Sequence, residues 1–333
     1  MSISFSNNVD IGGNIGGGEV KNQNKTLTAN GVYTADAGYT GLGTVTVSVE
    51  DTGVNIPKSI VNNILTTSNT VSSHTIPATV TDIGEGVYAY AFVDSSVLQS
   101  VDASSLENIT GSNAFRFAYK GSTIKTADFS SVQSVGTYSV YSTFEDSNIE
   151  TIDFSSLETV DGNYAFYYFC ENTQQLVSVD MSSLTSVTGN YTFVRAFDGS
   201  SISKFSSSTA GNAIFPQLTT ISGNSTFQYM FTATTNITTV RFPVLNSITD
   251  SSTSNSIFYG AFGNSNIANV YFNALTSNSF SGDPFKSMFI NNYNNISLHF
   301  KNNSALKTKI QGLDSYPGFG APNSDKVTVL FDL

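Results

Sequence analysis

Leu98-Gln-Ser-Val-Asp-Ala-Ser-Ser-Leu106 is followed by Ile124-Lys-Thr-Ala-Asp-Phe-Ser-Ser-Val132, by Ile149-Glu-Thr-Ile-Asp-Phe-Ser-Ser-Leu157 and by Leu176-Val-Ser-Val-Asp-Met-Ser-Ser-Leu184. Looser copies open at Ile202, Ile237, Ile267 and Ile296, and a degenerate first copy runs from His74 to Ile83. The clear copies start about 25–27 residues apart and the later ones about 29–35, a spacing typical of stacked-coil repeats. A repeat of this size predicts a solenoid, in which each coil buries its apolar face only against its neighbours.

Within a copy the apolar residues follow two periods. Leu98, Val101 and Ala103, like Ile149, Ile152 and Phe154, alternate loosely and predict a short strand. Leu106 and Ile109, with Leu157 and Val160 or Leu184 and Val187, carry the core around a turn. An apolar pair four residues apart then recurs: Tyr88/Phe92, Phe115/Tyr119, Val140/Phe144, Phe166/Cys170, Phe193/Phe197, Phe227/Phe231, Phe258/Phe262 and Phe285/Phe289. Spacing of i, i+4 is the helical neighbour distance, so each coil is expected to be a strand, a turn and a short helical turn.

Composition shifts divide the chain into four. Residues 1–24 are rich in Gly and Asn and read as a flexible or partner-ordered arm. Residues 25–55 read as a small β unit, with the turn dipeptide Asn30-Gly31 and the alternating Thr44–Val49. The solenoid is expected over 56–301. Residues 302–333 then close it with a short cationic helix from Asn303 to Ile310 and a final strand from Lys326 to Phe331.

Thr75-Ile-Pro-Ala-Thr-Val-Thr-Asp-Ile-Gly-Glu-Gly86, with Tyr88-Ala-Tyr-Ala-Phe92 and Leu98-Gln-Ser-Val101, resembles the BspA-type leucine-rich repeat. The resemblance covers about 71–300 and implies a leucine-rich-repeat solenoid used for surface adhesion and contact with protein or glycan. Its proline survives in few copies (Pro77, Pro216, Pro243), and Ser-Ser replaces it in the best-preserved ones.

Leu27–Val49 is similar to a segment recurring in phage virion proteins, with Tyr33 in Asn-Gly-Val-Tyr and Tyr39 in Gly-Tyr-Thr-Gly. This second resemblance implies attachment to other virion proteins through the N-terminal region, Tyr33 and Tyr39 included. The first ten residues have neither the basic start nor the apolar run of a secretory signal. Virion localisation, extracellular on release, and a homo-oligomer are therefore expected.

Charge and residue counts narrow the function further. The net charge of −11 disfavours nucleic acid, because backbone reading needs clustered Lys and Arg, and it disfavours anionic membranes. No stretch is long enough to span a bilayer, so no membrane insertion is expected. Only 12% of residues are charged, and the Ser, Thr and Asn that replace them suit an extracellular surface. One cysteine, Cys170, excludes an internal disulfide framework, and its place among core aromatics marks it as a small buried hydrophobe. Two histidines, His74 and His299 at opposite ends of the array, leave Ser-His or Cys-His chemistry almost nothing to work with.

The sharpest candidate site is the column Asp102, Asp128, Asp153 and Asp180, each at the same place in its coil. Stacked carboxylates could hold Ca²⁺ or form a glycosidase pair. The Asp-x-Ser-Ser context favours a plainer role, in which each Asp accepts hydrogen bonds from the backbone of the following turn. A catalytic pair also needs unlike environments, which a repeated column does not offer.

Later copies put Ser206, Arg241 and Tyr271 in that place, so the strand face grades from acidic to mixed and aromatic, as a recognition surface would. Tyr167, Tyr168 and Tyr259 fall between core positions and are further candidates for exposed contact. The reading is a non-enzymatic virion binding protein with no metal or cofactor, displaying its repeats toward host-surface glycan or protein. The rivals are a polysaccharide-degrading phage spike and a cellular surface adhesin of the same repeat family.

Overall fold

The computed structural model describes residues 73–76, 78, 80–249, 256–322 and 324–333, together with three N-terminal strands. Those strands are β1 (Ser2–Asn8), β2 (Lys25–Thr28) and β3 (Thr44–Val49). β1 pairs antiparallel with both others, so the span expected as a flexible arm begins with a strand, consistent with the period-two alternation of Ile3 and Phe5. The Asn30-Gly31 turn, the glycine-rich stretch from Ile11 to Gly18, Tyr33 and Tyr39 lie outside the described residues.

β3 pairs in parallel with β4 (Ser73–Thr75), which opens the repeat array. Parallel strands then follow in register: β5 (Ser100–Asp102), β7 (Thr126–Asp128), β9 (Thr151–Asp153), β11 (Ser178–Asp180) and β13 (Lys204–Phe205). They continue through β14 (Asn212–Ile214), β16 (Thr239–Phe242), β18 (Asn269–Phe272), β19 (Ile296–Phe300) and β20 (Val327–Phe331), giving a 14-stranded sheet.

A second, 6-stranded sheet holds β6 (Asn108–Ile109), β8 (Ser134–Val135), β10 (Thr159–Val160), β12 (Ser186–Val187), β15 (Thr220–Ser222) and β17 (Ser247–Thr249). The result is a parallel β-solenoid of about nine turns.

The third side of each coil corrects the expected helical turn. Among the described residues the one α-helix is α1 (Ser304–Gln311), in the C-terminal cap. In its place each coil lays down a run of overlapping β-turns. From 111 to 122, Ala114, Ala118 and Ser122 donate their N–H to the carbonyl three residues back, at 3.1, 2.9 and 3.2 Å. The residues between, Phe115, Phe117 and Tyr119, donate across to Ser139, Tyr141 and Thr143 of the next coil at 2.7, 3.0 and 2.9 Å.

Asn113, Phe117 and Gly121 stand at positive φ (60°, 55° and 67°), the third position of a type II turn. Such a run repeats every four residues, close to the helical 3.6. The buried pairs are therefore correctly placed while the backbone between them is not helical.

All sixteen members of the eight pairs are buried. Around them aromatic rings stack from coil to coil, as in Phe129–Phe154 (4.8 Å, 3°), Phe166–Phe193 (4.9 Å) and Phe242–Phe272 (5.0 Å, 4°). Backbones approach most closely at one corner. A Cβ on Gly162 would overlap the backbone of Gly136, and one on Gly136 would stand 2.8 Å from the Thr110 carbonyl oxygen.

The array departs from one strand per coil at β13 and β14. These pair in parallel with a shift of only eight residues, Lys204 on Asn212 and Phe205 on Ala213. On the other two sides the chain skips this layer: β12 pairs directly with β15, and Tyr191 N–H donates to the Asn224 carbonyl at 2.8 Å.

The far end is closed by α1. The Asn303 side chain accepts from Leu306 N–H at 2.9 Å, Leu306 and Ile310 are buried, and the Lys309 ammonium donates to the carbonyls of Ser277 (2.6 Å) and Phe280.

Candidate functional site

Strand register places Asp102, Asp128, Asp153 and Asp180 side by side on the outer face of the large sheet. In each, Oδ1 accepts from the N–H two residues on: Ser104 (3.1 Å), Ser130 (2.9 Å), Ser155 (2.8 Å) and Ser182 (2.8 Å). The Ser104 hydroxyl adds a second donor to Asp102 at 2.6 Å. The column is thus a row of Asx turns, and the repeated Ser-Ser supplies their donors. Asp128, Asp153 and Asp180 share this one kind of backbone partner, and Asp102 adds the Ser104 hydroxyl. Among the described residues, no three His, Cys, Asp or Glu are gathered as a cation site.

The row continues with a change of chemistry. Ser206, at φ 45°, turns the chain out of the sheet, and its hydroxyl accepts from Met181 N–H at 2.9 Å. The same register line then carries Ile214, Arg241, Tyr271, His299 and Leu330. The Arg241 guanidinium carbon lies 3.8 Å from the Tyr271 ring centre, and Tyr271 stacks on His299 at 4.1 Å and 12°. His299 Nδ1 lies 3.1 Å from Asp332 Oδ1, while its Nε2 is buried without a partner. Arg241 and Tyr271, named from sequence, therefore meet each other; the Asp column lies apart from them beyond β13 and β14.

Sequence reading missed the wall between these halves. Residues 206–211 loop out between β13 and β14, tied down where Gly211 N–H donates to the Ser203 carbonyl at 2.7 Å. With Asp128, Asp153, Asp180 and Lys204, residues Ser206 to Ser208 line an open groove of about 690 Å³ on the strand face. The signal for it was the long interval from Ile202 to Ile237.

The turn face carries an aromatic surface. Tyr138, Tyr164 and Tyr191 stack at 4.9 and 5.0 Å. Tyr90, Phe117, Tyr141 and Tyr167 form a parallel row at 5.0, 5.5 and 5.1 Å. Tyr167 and Tyr168, expected as exposed contacts, are half-buried within this surface, and burial pushes the Tyr167 hydroxyl above its ordinary pKa. Tyr259 lies edge-on to Tyr229 at 5.5 Å. Arg195 reaches Glu171 (3.4 Å) and Asp198 (3.6 Å), yet burial raises both carboxyls above their usual range.

Cys170 and His74 are both buried. The Cys170 thiol is fully buried and pushed up by burial. His74 is buried beneath the first coil, its Nδ1 3.1 Å from the Tyr119 hydroxyl, and burial lowers its pKa to about 3 despite the Asp102 charge. No helix among the described residues is long and apolar enough to cross a membrane.

Fold and face together define a parallel β-solenoid with two chemically distinct exposed sides. No family model matches the chain, and no curated protein does. Among solved structures it is similar to a leucine rich cell surface protein from Faecalibacterium prausnitzii A2-165, at 17% identity over 81% of each chain and a TM-score of 0.30.

Proposed function

We propose that the chain is a non-enzymatic binding protein of a phage particle, held by its N-terminal region and offering the solenoid to a host-surface glycan or protein. The observation that carries the binding part is the strand-face groove. It is open, lined by hydroxyls, three carboxylates and the Lys204 ammonium, and its carboxylates are already committed to turns in like surroundings. Such a surface can recognise a polar ligand but lacks an acid–base pair with separated roles. Support for the virion part is the resemblance of Leu27–Val49 to virion segments, with neighbouring virion proteins and further copies of this chain as its partners.

Electron microscopy of purified particles, with the chain labelled, tests the location. Incubating the purified protein with host-surface polysaccharide, and measuring retention and new reducing ends together, tests the activity. Label on particles and retention without cleavage are expected. New reducing ends would establish the degrading spike instead, and label confined to the cell envelope would establish the adhesin.

A further inference from the structure

We propose that Arg116 and Tyr90 form a pocket on the turn face for the carboxylate of a single acidic sugar, a site independent of the strand-face groove. Arg116 is half-buried, with its guanidinium carbon 5.1 Å from the ring centres of both Phe117 and Tyr141. Its Nη1 donates to Asn113 Oδ1 at 3.3 Å, and its Nε is buried without a partner.

Among the described residues no carboxylate lies within ion-pair distance of Arg116. The turn-face cations of the same and a later coil are paired, Lys120 with Glu145 (2.5 Å) and Arg195 with Glu171 and Asp198. A chain of net charge −11 is not short of carboxylates. The terminal Nη groups keep donors that the hydrogen bond to Asn113 does not use, and an incoming carboxylate can take two parallel N–H bonds from them.

The space beside Arg116 fits that ligand. A pocket of about 270 Å³ is lined by Glu85, Gly86, Ala89, Tyr90, Asn113 and Arg116. That is below the roughly 300–1,000 Å³ of sites for drug-sized molecules and suits one sugar ring. Tyr90 is 55% exposed and ends the row Tyr90–Phe117–Tyr141, so one of its faces meets no other ring among the described residues.

Tyr90 stands at φ 60°, the conformation this position takes in coil after coil (Phe117 55°, Tyr168 54°, Arg195 52°), so the turn run fixes where its ring lies. An exposed aromatic beside a guanidinium supplies an apolar wall for the sugar's C–H face. Asn113 and Glu85 supply groups for its hydroxyls. Glu85 also restricts the ligand to one carboxylate, since a dense polyanion would be repelled.

The test is calorimetric titration of the full chain with methyl galacturonoside and with N-acetylneuraminic acid, each against its neutral methyl ester. Binding of at least one acid, with its ester at least about ten-fold weaker, is expected, and the two acids distinguish uronic from sialic sugars. Arg116→Gln should weaken binding by about ten-fold or more, and Tyr90→Asn, which accepts positive φ, should weaken it without lowering Tm. The proposal is overturned if acid and ester bind equally, or if neither acid binds at about 10 mM. Wild-type affinity in Arg116→Gln also overturns it; should that variant fail to fold, wild-type affinity in Tyr90→Asn does so.

Discussion

Asp153 Oδ1 accepts a hydrogen bond from the Ser155 N–H at 2.8 Å, and the same bond recurs at Asp128 with Ser130 and Asp180 with Ser182. Asn can replace the acceptor and Ala cannot. Asp153→Asn should leave stability nearly unchanged, while Asp153→Ala should cost about 1 kcal/mol, the net worth of one hydrogen bond. Urea unfolding of both variants checks this; equal losses would mean that the charge rather than the turn matters.

Gly162 sits where an added Cβ would overlap the Gly136 backbone, and backbone cannot step aside as a side-chain end can. Gly162→Ala should therefore destabilise by about 1–3 kcal/mol, the range of an overpacked core. Gly282→Ala is the control for backbone conformation alone: unlike Gly162 it stands at positive φ (65°), and nothing lies within 4 Å of its added Cβ. Thermal melts of the two variants should separate crowding from backbone conformation.

Phe197 is fully buried and stacks on Phe231 at 5.6 Å and 14°. Truncating it to Ala should cost about 3–5 kcal/mol. Tyr167 stacks on Tyr141 and meets Tyr164 at a tilt but is only half-buried, so Tyr167→Ala should cost clearly less, about 1–2 kcal/mol. Similar shifts in Tm for both would contradict the assignment of core and surface rows.

His74 is held neutral, its pKa lowered by burial from 6.5 to about 3. The unfolded chain thus takes up a proton at a pH where the folded one does not. The stability contributed is full above pH 6.5 and is lost as pH falls toward 3. Between pH 7 and pH 5 the loss should be about 2 kcal/mol. Denaturant midpoints across that interval, flatter in His74→Asn than in the parent, would confirm the source.

How much of this was legible beforehand follows from what each signal measures. Burial periodicity located all eight core pairs, because a side chain's burial depends on its spacing and not on how the backbone gets there. The helical turn was wrong for the same reason: turns that repeat every four residues bury the same positions as a helix. The Asp-x-Ser-Ser turns were readable because their donors and acceptor are adjacent in sequence. The Gly136–Gly162 approach and the Arg241–Tyr271–His299 stack were not, since each depends on which residues neighbouring coils bring into register.

The strand layer added by β13 and β14 has no counterpart on the other two sides of the solenoid. Like a voussoir cut wide at one edge, it must make the stack fan open there by about one strand spacing, ~4.8 Å. Two panels of the strand face therefore diverge. The aspartates sit on one side of the added layer, and Arg241, Tyr271 and His299 on the other. A flat, rigid partner can rest on one panel at a time, so a single ligand that engages both must be either curved or compliant.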